Sequence, residues 1–247
     1  MASLYLVESL DGVAVGGSVT LDGAEGRHAV TVSRVRVGET LRLSDGQGTV
    51  VVGAVSSLGR DSLSLTVSDV LVSSRPVPSL TLVQALAKGG RDEMAVQAAT
   101  EVGVDHVVPW SAARSVSRWE GAKVAKGRAR WQAIAHEAAK QAIRSWVPSV
   151  SEPVTTAALA ASASSSAGVV LLVLDPTATE RLATWEPPAD ATSISLVVGP
   201  EGGIDGSELD RLSAAGAVRV RLGDTVLRTS TAGPAALAVL QSRLGRW

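Results

Sequence analysis

The period of the apolar residues changes near residue 80, and that change limits what this chain can fold into. Before it, Thr49–Val55 and Ser62–Val67 are β-branched or strictly alternating, the pattern of half-buried strands. Asp45-Gly46-Gln47-Gly48 is a turn signal between Leu41–Leu43 and the first of these, so a hairpin is expected. Leu4–Val7 and Val19–Leu21 read as further strands, and Glu25–Val35 as a short helix. Several short strands in the first 72 residues suggest a small barrel, which closes its own edges. The segment Ser73–Pro78, with two prolines and two serines, predicts an extended linker over 73–79.

From residue 80 onward strands alternate with helices. Strands are expected at Leu80–Ala85, His106–Val108, Val169–Leu174, Ser195–Val198 and Val218–Leu222. Helices are expected at Arg91–Val102, stopped by Gly103, and at Lys126–Trp146, followed by Pro148. Ala157–Gly168 predicts a helix and then a flexible loop. Ser207 to Asp210 resembles a capping box with Asp for Glu, opening a helix that Gly216 closes, and Thr231–Leu244 reads as a last helix. The alternation predicts an α/β domain over 80–247 with a parallel sheet covered on both faces.

Composition excludes several function classes. There are no cysteines among 247 residues, so disulfide frameworks, thiolate zinc sites and cysteine nucleophiles are out, and a reducing cytosol suits the chain. Mean hydropathy is +0.23, carried by Ala and Val, but no apolar run reaches the length of a membrane span. The start, MASLYLVESLDG, lacks the basic-then-apolar order of a signal peptide, so a cytoplasmic protein is expected. Net charge is −1, yet Arg114 to Arg144 holds eight basic residues and two acidic ones. Such a block can attract a polyanion, although a solvated helix face is the commoner use of a charge run.

The familiar cofactor signatures are missing. No G-x-G-x-x-G follows a strand, no Walker loop occurs, and no G-x-S-x-G elbow appears. His136-Glu137 opens like a zincin helix, but Lys140 stands where the second histidine belongs, so no metal is expected. Three loops near the C-terminus carry the signal instead. They are Gly199-Pro200-Glu201-Gly202-Gly203 after a buried strand, Arg221-Leu222-Gly223, and Val226 to Ala232 leading into the last helix. All three are expected at carboxyl ends of strands, where open α/β sheets bind ligands. Ordinary tight turns explain any one of them less demandingly than all three in order.

The string VVGPEGGI, then RLG, then VLRTSTA, resembles the SPOUT class of knotted S-adenosylmethionine-dependent RNA methyltransferases. More closely, the chain is similar over nearly its full length to the RsmE family, which methylates N3 of a uridine in 16S ribosomal RNA. KGGRDEMAVQAATEVGVD, the segment Arg114-Ser-Val116 and EAAKQAIRSWVP fit that family's middle region. His28, Arg34, Gly38, Asp45 and Gly46 fit its PUA-like RNA-binding front, taken as residues 1–72. The sequence departs from the family at Ala98, where Lys is common, and at Ser230, where Glu is common.

The resemblance implies a knotted SPOUT domain behind a small PUA-like barrel, working as a homodimer on RNA of the small ribosomal subunit. It implies that Leu174, Gly199, Pro200, Glu201, Gly202, Leu222, Gly223, Leu227, Arg228, Thr229, Ser230 and Thr231 hold S-adenosylmethionine, with Gly202 at positive φ or close to the cofactor. Arg228 would stabilise charge on the uracil carbonyls, or else brace the loops by pairing with Glu201 or Asp224. Glu201 is a candidate base with an equally open structural role.

RNA contacts are expected from Arg27, His28, Arg34 and Arg36 in the front domain. Arg114, Arg128, Arg130, Gln141 and Arg144 are the candidates in the middle, with Glu137, Gln141 and Arg144 sharing one helix stripe. Trp110, Trp119 and Trp146 can stack on bases, although packing is the commoner use. Two alternatives stay open: another SPOUT enzyme, acting on tRNA or at ribose 2′-O positions, and a non-catalytic RNA-binding or ribosome-assembly protein.

Overall fold

A computed structural model describes residues 4–165 and 167–247 of the chain. They form two compact units. Residues up to Arg75, together with Ala139–Val147, make the first; Pro76–Ala138 and Pro148–Trp247 make the second. The segment 139–147, assigned by sequence to the second domain, therefore groups with the first. Residue 166, within the expected loop after Ala157, lies outside the described residues.

The first unit is built on a five-stranded sheet. Its strands are β1 (Leu4–Leu6), β2 (Ser18–Leu21), β3 (Thr40–Ser44), β4 (Thr49–Leu58) and β5 (Leu63–Val72), in the order β1-β3-β4-β5-β2. The β3–β4 hairpin forms where the turn signal stands. The Asp45 carboxylate accepts from the amides of Gln47 and Thr49, and Gly46 takes φ 69°. Alternation sends Leu41, Leu43, Val51, Val55, Leu63 and Leu65 into one core. The expected helix 25–35 is only α1 (Gly23–Arg27), and His28–Val32 continue as a wider π-helical turn. Arg34 follows at φ 54°, a conformation that stops the spiral and is uncommon for a side-chain-bearing residue.

The second unit is α/β. Its strands are β6 (Ser79–Ala85), β7 (His106–Ser111), β8 (Ser149–Val150), β9 (Val154–Thr155), β10 (Val169–Leu174), β11 (Ser193–Val198) and β12 (Val218–Val220). They pair in the order β12-β10-β11-β6-β7, with β8 and β9 in turn along the far side of β7, and every pairing is parallel. The strand expected to stop at Val108 runs on through Pro109 to Ser111. Pro109 falls between the stretch paired with β8 and the stretch paired with β9, where its missing N–H leaves no gap in that ladder.

The helices of this unit are α2 (Arg91–Glu101), α3 (Ala122–Gln141), α4 (Thr156–Ser165), α5 (Gly206–Ala214) and α6 (Thr229–Arg243), with the end of α3 belonging to the first unit. Alternate residues of the strands feed two cores. Leu80, Leu82, Leu172, Ile194 and Leu196 join Val96 of α2, Trp131 of α3 and Leu237 of α6. Val83, Leu171, Val173 and Val197 join Leu159 of α4 and Leu212 of α5. This is the doubly covered sheet that the continuous apolar strands predict.

Two helix boundaries differ from expectation. α3 stops at Gln141 rather than Trp146, because Ile143 adopts φ 54° and the Arg144 amide turns back to the Ala139 carbonyl. A β-branched residue at that angle gives no terminator signal in sequence. Arg144 therefore leaves the helix, and the expected Glu137–Gln141–Arg144 stripe does not form. The capping box of α5 is Asp205 with Glu208, not Ser207 with Asp210.

Candidate active site

A cavity of ≈ 550 Å³ opens at the carboxyl ends of β10, β11 and β12. That is the end of a parallel sheet where loops gather with free backbone groups, and the volume falls in the range of about 300–1,000 Å³ typical of cofactor sites. Its apolar wall is Leu174, Val198, Ile204, Leu222 and Leu227. Of the residues implied by resemblance, Leu174, Gly199, Pro200, Glu201, Leu222, Gly223, Leu227, Arg228 and Thr229 line it.

Gly202, Ser230 and Thr231 do not line the cavity. Among the glycines at positive φ is Gly203, at φ 73°, and Gly202 is not one of them. A Cβ on Gly202 would meet the side chain of Arg114 at 3.4 Å, whereas one on Gly203 would meet open space. The positive φ expected of Gly202 thus belongs to its neighbour. Gly199 is needed for packing, since a Cβ there would lie 2.6 Å from Ile204.

The 199–203 loop is gripped from several elements. Glu201 accepts from the Lys88 amide at 3.2 Å and from Arg91 at 3.3 Å. The Gly202 carbonyl accepts from Arg114 at 3.2 Å, and Arg114 also pairs with Asp205 at 3.0 Å. Asp205 is held below the usual carboxylate range, first by the hydroxyl and amide of Ser207 and further by Arg114. The Gly199 carbonyl accepts from the hydroxyl of Thr229 at 2.8 Å.

The loop after β10 has its own brace. Asp175, buried, accepts from the amide and hydroxyl of Thr177 and from Arg219. Burial pushes the Asp175 carboxyl up, but those hydrogen bonds outweigh it and hold the group below its ordinary value. Arg91, Asp175 and Thr177 line the cavity and were missed in sequence. Asp175 and Thr177 stand in the loop directly after β10, and a polar residue at the carboxyl end of an apolar strand is the sequence signal for them.

Arg228 lines the cavity and is exposed. Neither of the carboxylates proposed to brace it does so. Glu201 is held by Arg91, and Asp224 pairs with Arg221 and Arg181. Glu201, accepting from two donors, has the geometry of a loop brace.

The RNA candidates divide in two. Arg114 is committed to the cavity loop. Arg128 donates to the Val150 carbonyl and to Glu152, and Arg130 pairs with Glu93. Gln141 is exposed, and Arg144 is half-buried beyond the helix end. In the first unit, Arg27 lies 3.7 Å from Asp61, His28 stands edge-on to Tyr5, and Arg34 and Arg36 are exposed. Trp110 is buried, Trp119 packs edge-on against Trp131, and Trp146 donates to Ser73 beneath Arg75, so all three serve packing. Among the described residues no group of three or more His, Asp or Glu is arranged to hold a metal, and no helix is long and apolar enough to cross a membrane.

The RNA methyltransferase domain family matches residues 73–241, and the RNA methyltransferase PUA domain family matches residues 21–68. A ribosomal RNA small subunit methyltransferase E from Mycobacterium bovis is 44% identical over 250 aligned positions, covering 100% of this chain and 94% of its own. The chain belongs to the ribosomal RNA small subunit methyltransferase E family. A Bacillus subtilis member is 29% identical, covering 90% of this chain and 88% of its own. The crystal structure of the Neisseria gonorrhoeae member bound to S-adenosyl methionine superposes with TM-score 0.85 at 27% identity, covering 98% of both chains. A putative methyltransferase from Legionella pneumophila, in complex with the same cofactor, gives 0.84 at 27% identity and the same coverage of each chain.

Proposed function

We propose that the chain catalyses S-adenosylmethionine-dependent methylation of N3 of a uridine in small-subunit (16S) ribosomal RNA. The observation that carries this is the cavity where the three loops meet, with Arg228 among its lining residues and the pocket carboxylates engaged elsewhere. The family names and the cofactor-bound relatives support the same reading. In this reading the C-terminal segment is knotted, the N-terminal sheet closes as a PUA-like barrel on RNA, and two copies work together in the cytoplasm on the small subunit.

The cavity suits the cofactor on its own terms. Leu174, Leu222 and Leu227 offer an apolar slot for a purine, and Gly203 and Gly223 leave room beside the backbone, since a Cβ on either meets nothing within 4 Å. When bound, S-adenosylmethionine supplies an electrophilic methyl group on a sulfonium. The protein has to present the N3 lone pair in line with that methyl. Removing the N3 proton puts negative charge on the flanking carbonyl oxygens, where a guanidinium donates best because its charge is permanent and its donors are forked. Arg228 takes that role. Glu201, Asp175 and Arg114 hold the loops that shape the cavity.

A calorimetric titration of the intact chain with S-adenosylmethionine, followed by incubation with small subunits lacking the modification, tests the reading. Cofactor binding and formation of 3-methyluridine are expected. Binding without methylation would favour a non-catalytic role, and methylation of tRNA or of a ribose 2′-oxygen would favour another branch of the class.

A further inference from the structure

Gln84 is the penultimate residue of β6, fully buried, and it does not line the cavity. Its side-chain amide nitrogen donates to the Ala85 carbonyl at 3.0 Å and to the Thr229 hydroxyl at 2.9 Å. The Thr229 hydroxyl in turn lies 2.8 Å from the Gly199 carbonyl. The directions in this chain are fixed. The Ala85 carbonyl can only accept, so the nitrogen of the Gln84 amide must face it. The same nitrogen then donates to Thr229, which leaves the threonine proton for Gly199 alone. Gln84 thereby sets which way a hydroxyl in the cavity wall points.

The other end of the amide makes the case sharper. The Gln84 Oε1 atom is buried with no hydrogen-bond partner among the described residues. A buried carbonyl without a partner is costly, and a leucine or methionine would fill the space without it. What the glutamine adds over an apolar side chain is the donor aimed at Thr229.

We propose that Gln84 is a positioning residue for the cofactor site. Acting through the Thr229 hydroxyl, it locks the Gly199 carbonyl and ties the ends of β6, β11 and α6 into one arrangement before the cofactor arrives. The proposal rests on the reading that the Gly199 loop walls the S-adenosylmethionine site. Its currency is affinity, because a loop already held in its binding shape has less freedom to lose.

The test is calorimetric titration of the full-length protein with S-adenosylmethionine, alongside circular dichroism and binding of a small-subunit RNA fragment. Thr229→Val removes the hydroxyl and should weaken cofactor binding roughly ten-fold, the usual worth of a buried hydrogen bond, with Thr229→Ser recovering most of that loss. Gln84→Leu frees the hydroxyl to rotate and should cost about three-fold; Gln84→Met gives the same reading should the leucine variant not fold. In a Thr229→Val background Gln84→Leu should cost nothing further, since the two residues act as one unit. RNA affinity should stay at the parent's level in every variant.

Unchanged cofactor affinity in Gln84→Leu, full additivity in the double variant, or an equal loss of RNA affinity would each overturn the proposal. A Gly203→Val variant run in parallel separates the two levels. Normal cofactor binding there would overturn the assignment of the site itself, whereas loss there with no effect at Gln84 would sink the relay alone.

Discussion

Arg114 donates to the Gly202 carbonyl at 3.2 Å and to the Asp205 carboxylate at 3.0 Å, so a residue from the loop after β7 holds both the cavity loop and the N-cap of α5. The pair is partly exposed, and such contacts contribute at most about 1 kcal/mol. Arg114→Ala should therefore weaken S-adenosylmethionine binding by roughly two- to five-fold in a calorimetric titration. RNA affinity should fall less than it does for an Arg130→Glu change, because the Arg114 guanidinium bridges two acceptors, a backbone carbonyl and a carboxylate. A large loss of RNA affinity with normal cofactor binding would return Arg114 to the phosphate-contacting role that its basic neighbourhood suggested.

The loop after β10 should answer to pH. Asp175 has a native value below its ordinary 3.8, so its brace is present above that value and is lost as pH falls through the lower native one. Asp175→Asn loses the ionic bond to Arg219 and should lower stability at pH 7 by roughly 1–3 kcal/mol. In thermal melts the gap between parent and variant should start to narrow below about pH 4 and close as the pH falls through the lower native value, where the folded parent's carboxyl is protonated too. A gap that stays constant from pH 7 to pH 3 would show that the charge of Asp175 contributes nothing.

Gly203 sits at φ 73° on the cavity wall. Gly203→Val would strain the backbone by roughly 1–2 kcal/mol and put a branched side chain where the loop borders the cavity. Cofactor binding should be abolished, while the N-terminal unit keeps its circular dichroism signature and its RNA affinity. Tight cofactor binding by this variant would remove the 199–203 loop from the site.

How far the sequence disclosed this site follows from where each contribution comes from. Gly199 and Leu222 were legible because each stands just beyond an apolar strand, and strand ends in a parallel sheet share one edge; Arg228, at the N-cap of α6, was legible through the resemblance carried by VLRTSTA. Arg91, Lys88 and Arg114 reach the same loop from strands elsewhere in the order, a relationship set by topology and invisible to local pattern. Gln84 looks like any polar residue near a strand end until its burial is known. α3 was misjudged at its end because Ile143 reverses the backbone at an angle usually left to glycine. The β3–β4 hairpin was legible because Asp45 and Gly46 have side-chain and backbone reasons to turn.

The basic block makes a separate prediction. The Arg130–Glu93 pair is exposed, so RNA phosphates can compete for the guanidinium at little cost to the fold. Arg130→Glu should leave the melting temperature within a few degrees, weaken RNA binding, and lower the salt dependence of that binding by about one charge in the logarithmic slope. Unchanged RNA affinity at low salt would leave the pair as a surface ornament of α3.

Arg228 is where the account is most exposed to test. Arg228 lines the cavity while Glu201 and Asp224 are paired with other arginines. Removing a donor that meets developing charge typically lowers turnover by about 100- to 1,000-fold. The deciding measurement is nucleoside mass spectrometry of small-subunit ribosomal RNA from a strain lacking this protein, complemented with the parent or with Arg228→Ala at equal abundance. One 3-methyluridine should vanish on deletion, return with the parent, and stay strongly depleted with Arg228→Ala in short growth pulses. An unaltered 3-methyluridine in the deletion strain would contradict the proposed reaction, and full restoration by Arg228→Ala would contradict the role of this residue in it.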